Sequence, residues 1–336
     1  MNDITSLLET SSWIVIWAIL ISIYGILFGL VLKGIDRKVA ARMQTRIGPP
    51  LRQPFWDVKK LFLKENIVPK DAVPWVFNSA PVVALASSLL VLMYLPFAKE
   101  TTFMDKYGDL VLILYLLIIP ALSMVVGGFA SGAPYSTVGA QREMVSMMSY
   151  ELPLATIVIS VGWILSNNGI VNAFALSSIV NNPIWDHVGI VGAGGLIILL
   201  FSLMAVTPGE LSKIPFDAPE AETELGGGIL AEYSGRNLAM FYIADGVKTL
   251  VLSSLAVAIF FPYGISNFIG ITGDIGRIAD IIFFLVKIEI FMFVSVSMVR
   301  VAFARLKINQ ISSLYWVKLG FVSLVGLTLI LIDGGF

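Results

Sequence analysis

The stretch TPGELSKIPFDAPEAETELGGGILAEYSGRN, residues 207–237, lies between two long apolar runs and decides how the chain is read. It holds six acids, Glu210, Asp217, Glu220, Glu222, Glu224 and Glu232, against two bases, Lys213 and Arg236. A short helix opened by Pro219 would put Asp217, Glu220 and Glu224 on one face, at i, i+3 and i+7 spacing. Crowded acids repel one another, which raises some of their pKa values and couples their titrations. Beside a membrane such a cluster can take up and release protons. On charge alone it also reads as an acidic, solvated loop, so the flanking chain has to separate the two.

That flanking chain is unusually apolar. Of 336 residues, 57% are hydrophobic and 13% charged, and the mean hydropathy is +0.88. Such a composition exceeds what one soluble core needs and fits a multi-span helical membrane protein. The short alternating segments of a transmembrane β-barrel are missing. With no cysteine, the chain holds no disulfide and no cysteine-ligated iron–sulfur cluster. Its single histidine, His187, argues against haem or zinc ligation within the chain. Redox cofactors are therefore expected in partner subunits, and none in this chain. Acids precede the first apolar run and no small-residue cleavage site follows it, so no cleavable signal is expected.

Apolar windows place eight spans near 13–32, 76–97, 109–130, 147–165, 190–206, 238–261, 279–303 and 314–333. The connection 33–70 carries ten Lys/Arg. With eight spans it shares a side with the connections near 131–146, 207–237 and 304–313, which add Arg142, Lys213, Arg236, Arg305 and Lys307. The opposite side has only Lys99, Lys106 and Arg277. This bias puts the basic side in the cytoplasm and both termini outside the cell membrane. The expected fold is an all-α integral membrane protein in a single domain, 1–336, with eight transmembrane helices and one amphipathic lateral surface helix.

That lateral helix is QPFWDVKKLFLKE, residues 53–65, inside the basic connection. Phe55, Val58, Leu61 and Phe62 make an apolar stripe, with Lys59, Lys60 and Lys64 off it. Too short to span, it is expected to lie along the interface, whether as part of a working site or as a basic surface anchor. Gly226, Gly227 and Gly228 are followed by no Gly-Lys-Ser/Thr, so they read as a tight turn or close packing rather than a phosphate loop.

Several ionisable residues fall inside predicted spans, where each costs about 2.5–3.5 kcal/mol and needs a reason. Glu143 and Glu151 begin the fourth span, Asp245 and Lys248 lie in the sixth, and Lys287 and Glu289 in the seventh. Asp245 and Lys248, three apart, are placed to pair on one face, whereas Lys287 and Glu289 point different ways. Structural pairing that fixes helix register is one reading. The other is a buried polar chain for protons or another cation, fed from the acidic connection.

At this point a family comes into view. GIDRKVAARMQTRIGPP (34–50), the lateral helix, SYELP (149–153) and IPFDAPEAETELGGGILAEYSG (214–235) resemble the proton-channel-linked subunit 1/H family of respiratory complex I. RVAFARLKINQ, with Trp316 and Lys318, resembles that family's closing segment. The resemblance implies eight membrane helices, a lateral helix, and a junction between a redox arm and ion-pumping membrane subunits. By motif match, Asp36, Arg37, Arg46, Glu151, Asp217, Glu220, Glu222, Glu224, Glu232, Asp245 and Lys287 take the family's polar-axis positions. Glu143, Lys248 and Glu289 join them as expected coupling residues. Arg37, Arg42, Arg46, Arg142, Arg236, Arg300 and Arg305 are expected to face the redox arm.

One departure matters. Gly48-Pro49 is followed by only Pro50-Leu51-Arg52 before Gln53-Pro54, where quinone-reducing members carry a longer stretch. The short form, with Glu143 in AQREM, is more similar to ion-pumping membrane-bound NiFe hydrogenases and their sulfur-reducing archaeal relatives. That resemblance implies ferredoxin as electron donor, hydrogenase-like large and small soluble subunits with iron–sulfur clusters (and a NiFe centre in hydrogenase members), and antiporter-like membrane subunits. It implies lipid surroundings and no nucleic acid. The chain itself is expected to perform no bond chemistry. The alternatives are a quinone- or methanophenazine-reducing subunit, a free-standing secondary transporter, and a purely structural anchor for the redox arm.

Overall fold

The computed structural model describes residues 2–97, 104, 108–270 and 273–335. Lys99 and Lys106, counted above on the sparsely charged side, lie outside the described residues. Eight helices are long and apolar enough to cross a bilayer. They belong to α1 (Asn2–Met43), α3 (Pro74–Leu92), α4 (Leu110–Ala130), α5 (Pro134–Asn167), α6 (Ile190–Glu210), α7 (Gly235–Phe260), α8 (Asp274–Ala302) and α9 (Ile308–Asp333). The lateral helix is α2 (Gln53–Phe62).

The spans fall where the apolar windows put them, but several run further. The fourth begins at Pro134 rather than 147, and the first continues through Met43 rather than ending near 32. At 1.5 Å per residue α1 is roughly 63 Å long, about twice the hydrocarbon thickness. Hydropathy windows stop at the first charges. The helices do not, because those charges are met inside the protein. Lys33, Asp36 and Arg37 thus stand on a helix and not in the connection 33–70.

The bundle is organised around α7. In its most apolar window 94% of residues are buried, against 22% for α1. A helix apolar on every side belongs in the centre, and α7 packs against α1, α2, α3 and α8. The α1–α7 crossing is close. A Cβ added at Gly29 would lie 2.6 Å from the Gly246 carbonyl oxygen, so only glycine lets the two backbones approach this way.

The odd-numbered connections meet at one end of the bundle. Leu306 N donates to the Pro215 carbonyl (2.9 Å), Ser234 Oγ accepts from Ile67 N (3.0 Å), and Arg142 pairs with Glu224. The even-numbered ones meet at the other end. There Trp185 Nε1 donates to the Phe260 carbonyl (2.7 Å), Tyr263 to Asp186 (3.2 Å), and Gly189 N to the Asp333 carboxylate (2.5 Å).

The lateral helix lies against α1 and α7. Phe55, Val58 and Leu61 are half-buried on the bundle, while Phe62 turns outward and leaves the stripe expected for it. Arg37 on α1 clamps α2 through Asp57 (2.9 Å), to which Gln53 also donates (3.0 Å). Burial raises the Asp57 carboxyl, but the hydrogen bonds from Arg37 and Gln53 outweigh it and hold the group below the usual carboxylate range.

Replacing Gly29 by valine is expected to force α1 off α7 at a cost of roughly 1–3 kcal/mol. A lowered thermal midpoint and yield of the purified complex would register this. An unchanged midpoint would mean that the crossing is loose.

Candidate functional site

Where α1, α7, α8 and the acidic connection meet, they enclose a cavity of about 500 Å³. Six cations line it (Lys33, Arg37, Lys213, Lys248, Arg300, Arg305) together with six acids (Asp36, Glu210, Asp217, Glu220, Glu222, Asp245). Apolar groups, among them Pro120, Met124, Phe241 and Met292, complete the wall. A balanced set of charges at this depth survives only by pairing, and the pairs are specific.

Asp36, one of the most buried acids, accepts from Ser297 Oγ (2.7 Å) and from Arg300 (2.8 Å). Ser297 closes a π-helical turn in α8, Phe293–Ser297, and Arg300 follows it on the face that the extra residue of such a turn shifts. Arg305 grips Asp217 with two nitrogens, at 2.8 and 2.5 Å, and also donates to Thr223. Such a fork fixes geometry as well as charge. Lys33 and Lys213 both sit 2.6 Å from the same oxygen, Oδ2, of Asp245. Lys248 points the other way, donating to the Glu210 carbonyl (2.8 Å) with its carboxylate at 3.6 Å. Glu143 is held by Ser212 Oγ (3.2 Å).

Two expected contacts are therefore corrected. Asp245 does not pair with Lys248, because lysines from α1 and the acidic connection reach it first. Nor do Asp217, Glu220 and Glu224 share a helix face. Proline at 219 opens only a three-residue turn, Ala218–Glu220, and a separate one-turn helix runs Glu222–Leu225. The break sends the acids apart: Asp217 to Arg305, Glu220 to the cavity wall, and Glu224 to an exposed pair with Arg142. The glycine triplet makes the expected close approach. Gly226, Gly227 and Gly228 all have positive φ, and a Cβ at Gly228 would overlap the Pro219 carbonyl oxygen.

The remaining expected residues are scattered. Glu222 lines the cavity rim, while Glu232 and Arg236 are exposed. Arg42 and Arg46 are exposed beyond the membrane end of α1. Glu151 lines a separate cavity of about 30 Å³ with Tyr150 and Glu210. Glu289 is half-buried within range of the Asp36 charge. Lys287 lies off the cavity, because its ammonium donates to the carbonyls of Phe261 (2.6 Å) and Tyr263 (2.8 Å) in the preceding connection. Lys33, Lys213, Glu210, Ser212 and Asp57 were missed as site residues. Lys33 carried a signal, standing one helical turn before Asp36.

Each lining cation has a carboxylate within 4.0 Å, counting Asp57 for Arg37. Among the described residues, Glu220 and Glu222 have no ion pair. Burial raises the Glu220 carboxyl to about 7, and the Asp245 and Glu143 charges add to this against the opposing pull of Lys213 and Lys33. Among the described residues no group of three or more His, Cys, Asp or Glu stands ready to hold a metal. The donor set does not suit an iron–sulfur cluster.

The site is thus a set of paired charges gathered into a cavity of the membrane bundle, with the acidic connection forming part of its wall at one end. A family model described as NADH dehydrogenase matches residues 15–331, and the chain belongs to that family. It is 34% identical over 317 residues to the H subunit of the NADH-quinone oxidoreductase of Brevibacillus brevis, covering 91% of this chain and 89% of the relative. The second H-type chain of the same enzyme in Rhizobium etli is 29% identical, covering 89% and 87%. Among solved structures, a chain of the membrane-bound sulfane sulfur reductase, an archaeal respiratory membrane complex, aligns with a TM-score of 0.80 and 27% identity. That alignment covers 93% of this chain and 98% of the other.

Two outcomes test the electrostatics. Arg300→Met should destabilise the chain by roughly 1–3 kcal/mol. This is less than a fully buried pair would lose, because Arg300 is 32% exposed, and Asp36→Asn in the same chain should restore part of it. A double-mutant cycle of thermal midpoints reads the coupling. Glu220 keeps a proton in the folded chain that the unfolded chain releases between pH 4.5 and about 7, so its contribution to stability falls as pH rises through that window. The stability advantage of Glu220→Gln over the parent should therefore grow from pH 5 to pH 8. A gap that stays constant would place Glu220 in water.

Proposed function

We propose that this chain is the coupling subunit of a ferredoxin-dependent, ion-pumping complex of the membrane-bound hydrogenase or sulfane sulfur reductase kind. The observation that carries the reading is the cavity, where the end of α6 contributes Glu210 and the acidic connection contributes Lys213, Asp217, Glu220 and Glu222 to a set of membrane charges. The short 48–54 stretch and the likeness to the sulfane sulfur reductase chain support the branch. The odd-numbered connections then face the cytoplasm with both termini outside. Arg42, Arg46 and Arg236, all exposed there, meet the soluble arm, whose iron–sulfur clusters supply electron transfer when bound.

In this reading the chain forms and breaks no covalent bond apart from moving protons. A unit charge appearing about 10 Å from the cavity, at an effective dielectric near 20, contributes roughly 1.7 kcal/mol. That exceeds one pKa unit, enough to change the protonation of Glu220 and to bias a two-state connection more than tenfold. Asp245, Lys248, Glu210, Glu143 and Glu151 form the set through which the bias reaches antiporter-like neighbours. Glu289 and Asp36 stand at its α8 border. Lys287, held on the opposite connection, has a structural part.

Quinone reduction is the second reading, favoured by the names of the Brevibacillus and Rhizobium relatives. Purification of the intact complex through a tag on this chain distinguishes them. Ferredoxin-driven hydrogen evolution with nickel, or sulfur reduction without it, supports the first reading, whereas quinone reduction blocked by quinone-site inhibitors supports the second. Within the first, Glu220→Gln should cut ions moved per electron at least tenfold while the complex assembles. Glu224→Gln, at an exposed pair, should leave at least half. Undiminished pumping by an intact Glu220→Gln complex would refute the coupling role.

A further inference from the structure

The arrangement at Asp245 is electrostatically lopsided. Two ammonium groups share one carboxylate oxygen, leaving a surplus positive charge in the cavity that Glu220 also lines, and their charges act on Glu220. The two lysines are held differently. Lys33 is anchored on α1, with its side chain 9% exposed and its ammonium 2.9 Å from the Tyr242 carbonyl oxygen and 3.4 Å from the centre of the Tyr242 ring. Lys213 stands on the acidic connection, is 23% exposed, and has Asp245 as its only side-chain partner among the described residues. The residue before it, Ser212, has a φ of +48°, a left-handed conformation costly for serine.

We propose that Lys213 is a shared counter-ion, seated on Asp245 while Glu220 is neutral and drawn toward Glu220 when that carboxyl ionises. The proposal rests on the coupling reading above and names the residue that carries it. The charges acting on Glu220 are Lys213 from the connection, Asp245 from α7, Glu143 from α5 and Lys33 from α1. With Glu220 neutral, Lys33, Lys213 and Asp245 sum to +1, and with it ionised the four sum to zero. Burial together with the Asp245 and Glu143 charges holds its titration near 7, so a modest change in potential crosses it. Because Lys213 is part of the connection's backbone path, its transfer moves the 211–217 segment. Lys33 does not move, and keeps Asp245 from being left buried and unpaired. Lys213 is thus a positioning residue.

The test is an infrared titration of the protonated carboxyl of Glu220 in the intact complex, isolated by difference from the Glu220→Gln complex. Lys213→Met should raise the Glu220 midpoint by about one pH unit or more, because its cation is gone. Asp245→Asn should lower it by a similar amount, since a like charge is lost and both lysines are released. Lys213→Arg should keep the parent midpoint. A midpoint unmoved by Asp245→Asn, or by Lys213→Met in an assembled complex, overturns the proposal. If Lys213→Met fails to assemble, the Asp245→Asn and Lys213→Arg titrations decide it. Pumping measured on the same preparations separates the two claims. Shifted midpoints with intact pumping in Glu220→Gln would uphold the shared counter-ion and refute the coupling reading.

Discussion

Charge at bilayer depth has to be met by opposite charge or by hydrogen bonds, and that constraint shapes the molecule. Asp36 on α1 requires Arg300 and Ser297 from α8. Asp245 on α7 requires Lys33 from α1 and Lys213 from the acidic connection. Asp217 requires Arg305 from the connection before α9. Each pair joins segments far apart in sequence, so the same contacts that neutralise charge also fix helix register. Structural pairing and function are therefore not rivals here. Among the described residues the lining charges are paired except at Glu220 and Glu222, and burial lifts the Glu220 carboxyl to about 7.

The central helix follows from the same constraint. Beyond Lys248, α7 is buried apolar residues with Thr249, Ser253 and Ser254 as its polar side chains, so the charged set ends near its midpoint. From there the next acids, Glu210, Glu143 and Glu151, lie toward α5 and α6. The polar groups thus run across the bundle rather than straight through it, the layout that the proposed coupling role calls for.

Much of this was legible in the sequence. Eight apolar runs, the sharing of one end by the charged connections and the short lateral helix are one-dimensional signals, and the structure follows them. The ends of helices were less legible, because windows stop at charges whose partners lie elsewhere in the chain. Of the site, the residue types were readable but the partners were not. Asp245 and Lys248 look paired by spacing, yet pairing is settled by which cations other segments deliver. The acids of 217–224 look like one helical face, but the three positive-φ glycines and the turn at Pro219 break that face apart. Lys33 reads as a loop charge until α1 is seen to outrun its apolar stretch, and Lys213 until Asp245 is seen beside it.

The most direct measurement is simultaneous electron transfer and ion uptake in sealed vesicles bearing the intact complex with Asp245→Asn. If the charge set transmits coupling, electron transfer persists while ions moved per electron fall at least tenfold. An intact complex with an unchanged ratio would make Asp245 a structural counter-charge and would contradict the coupling role of the cavity.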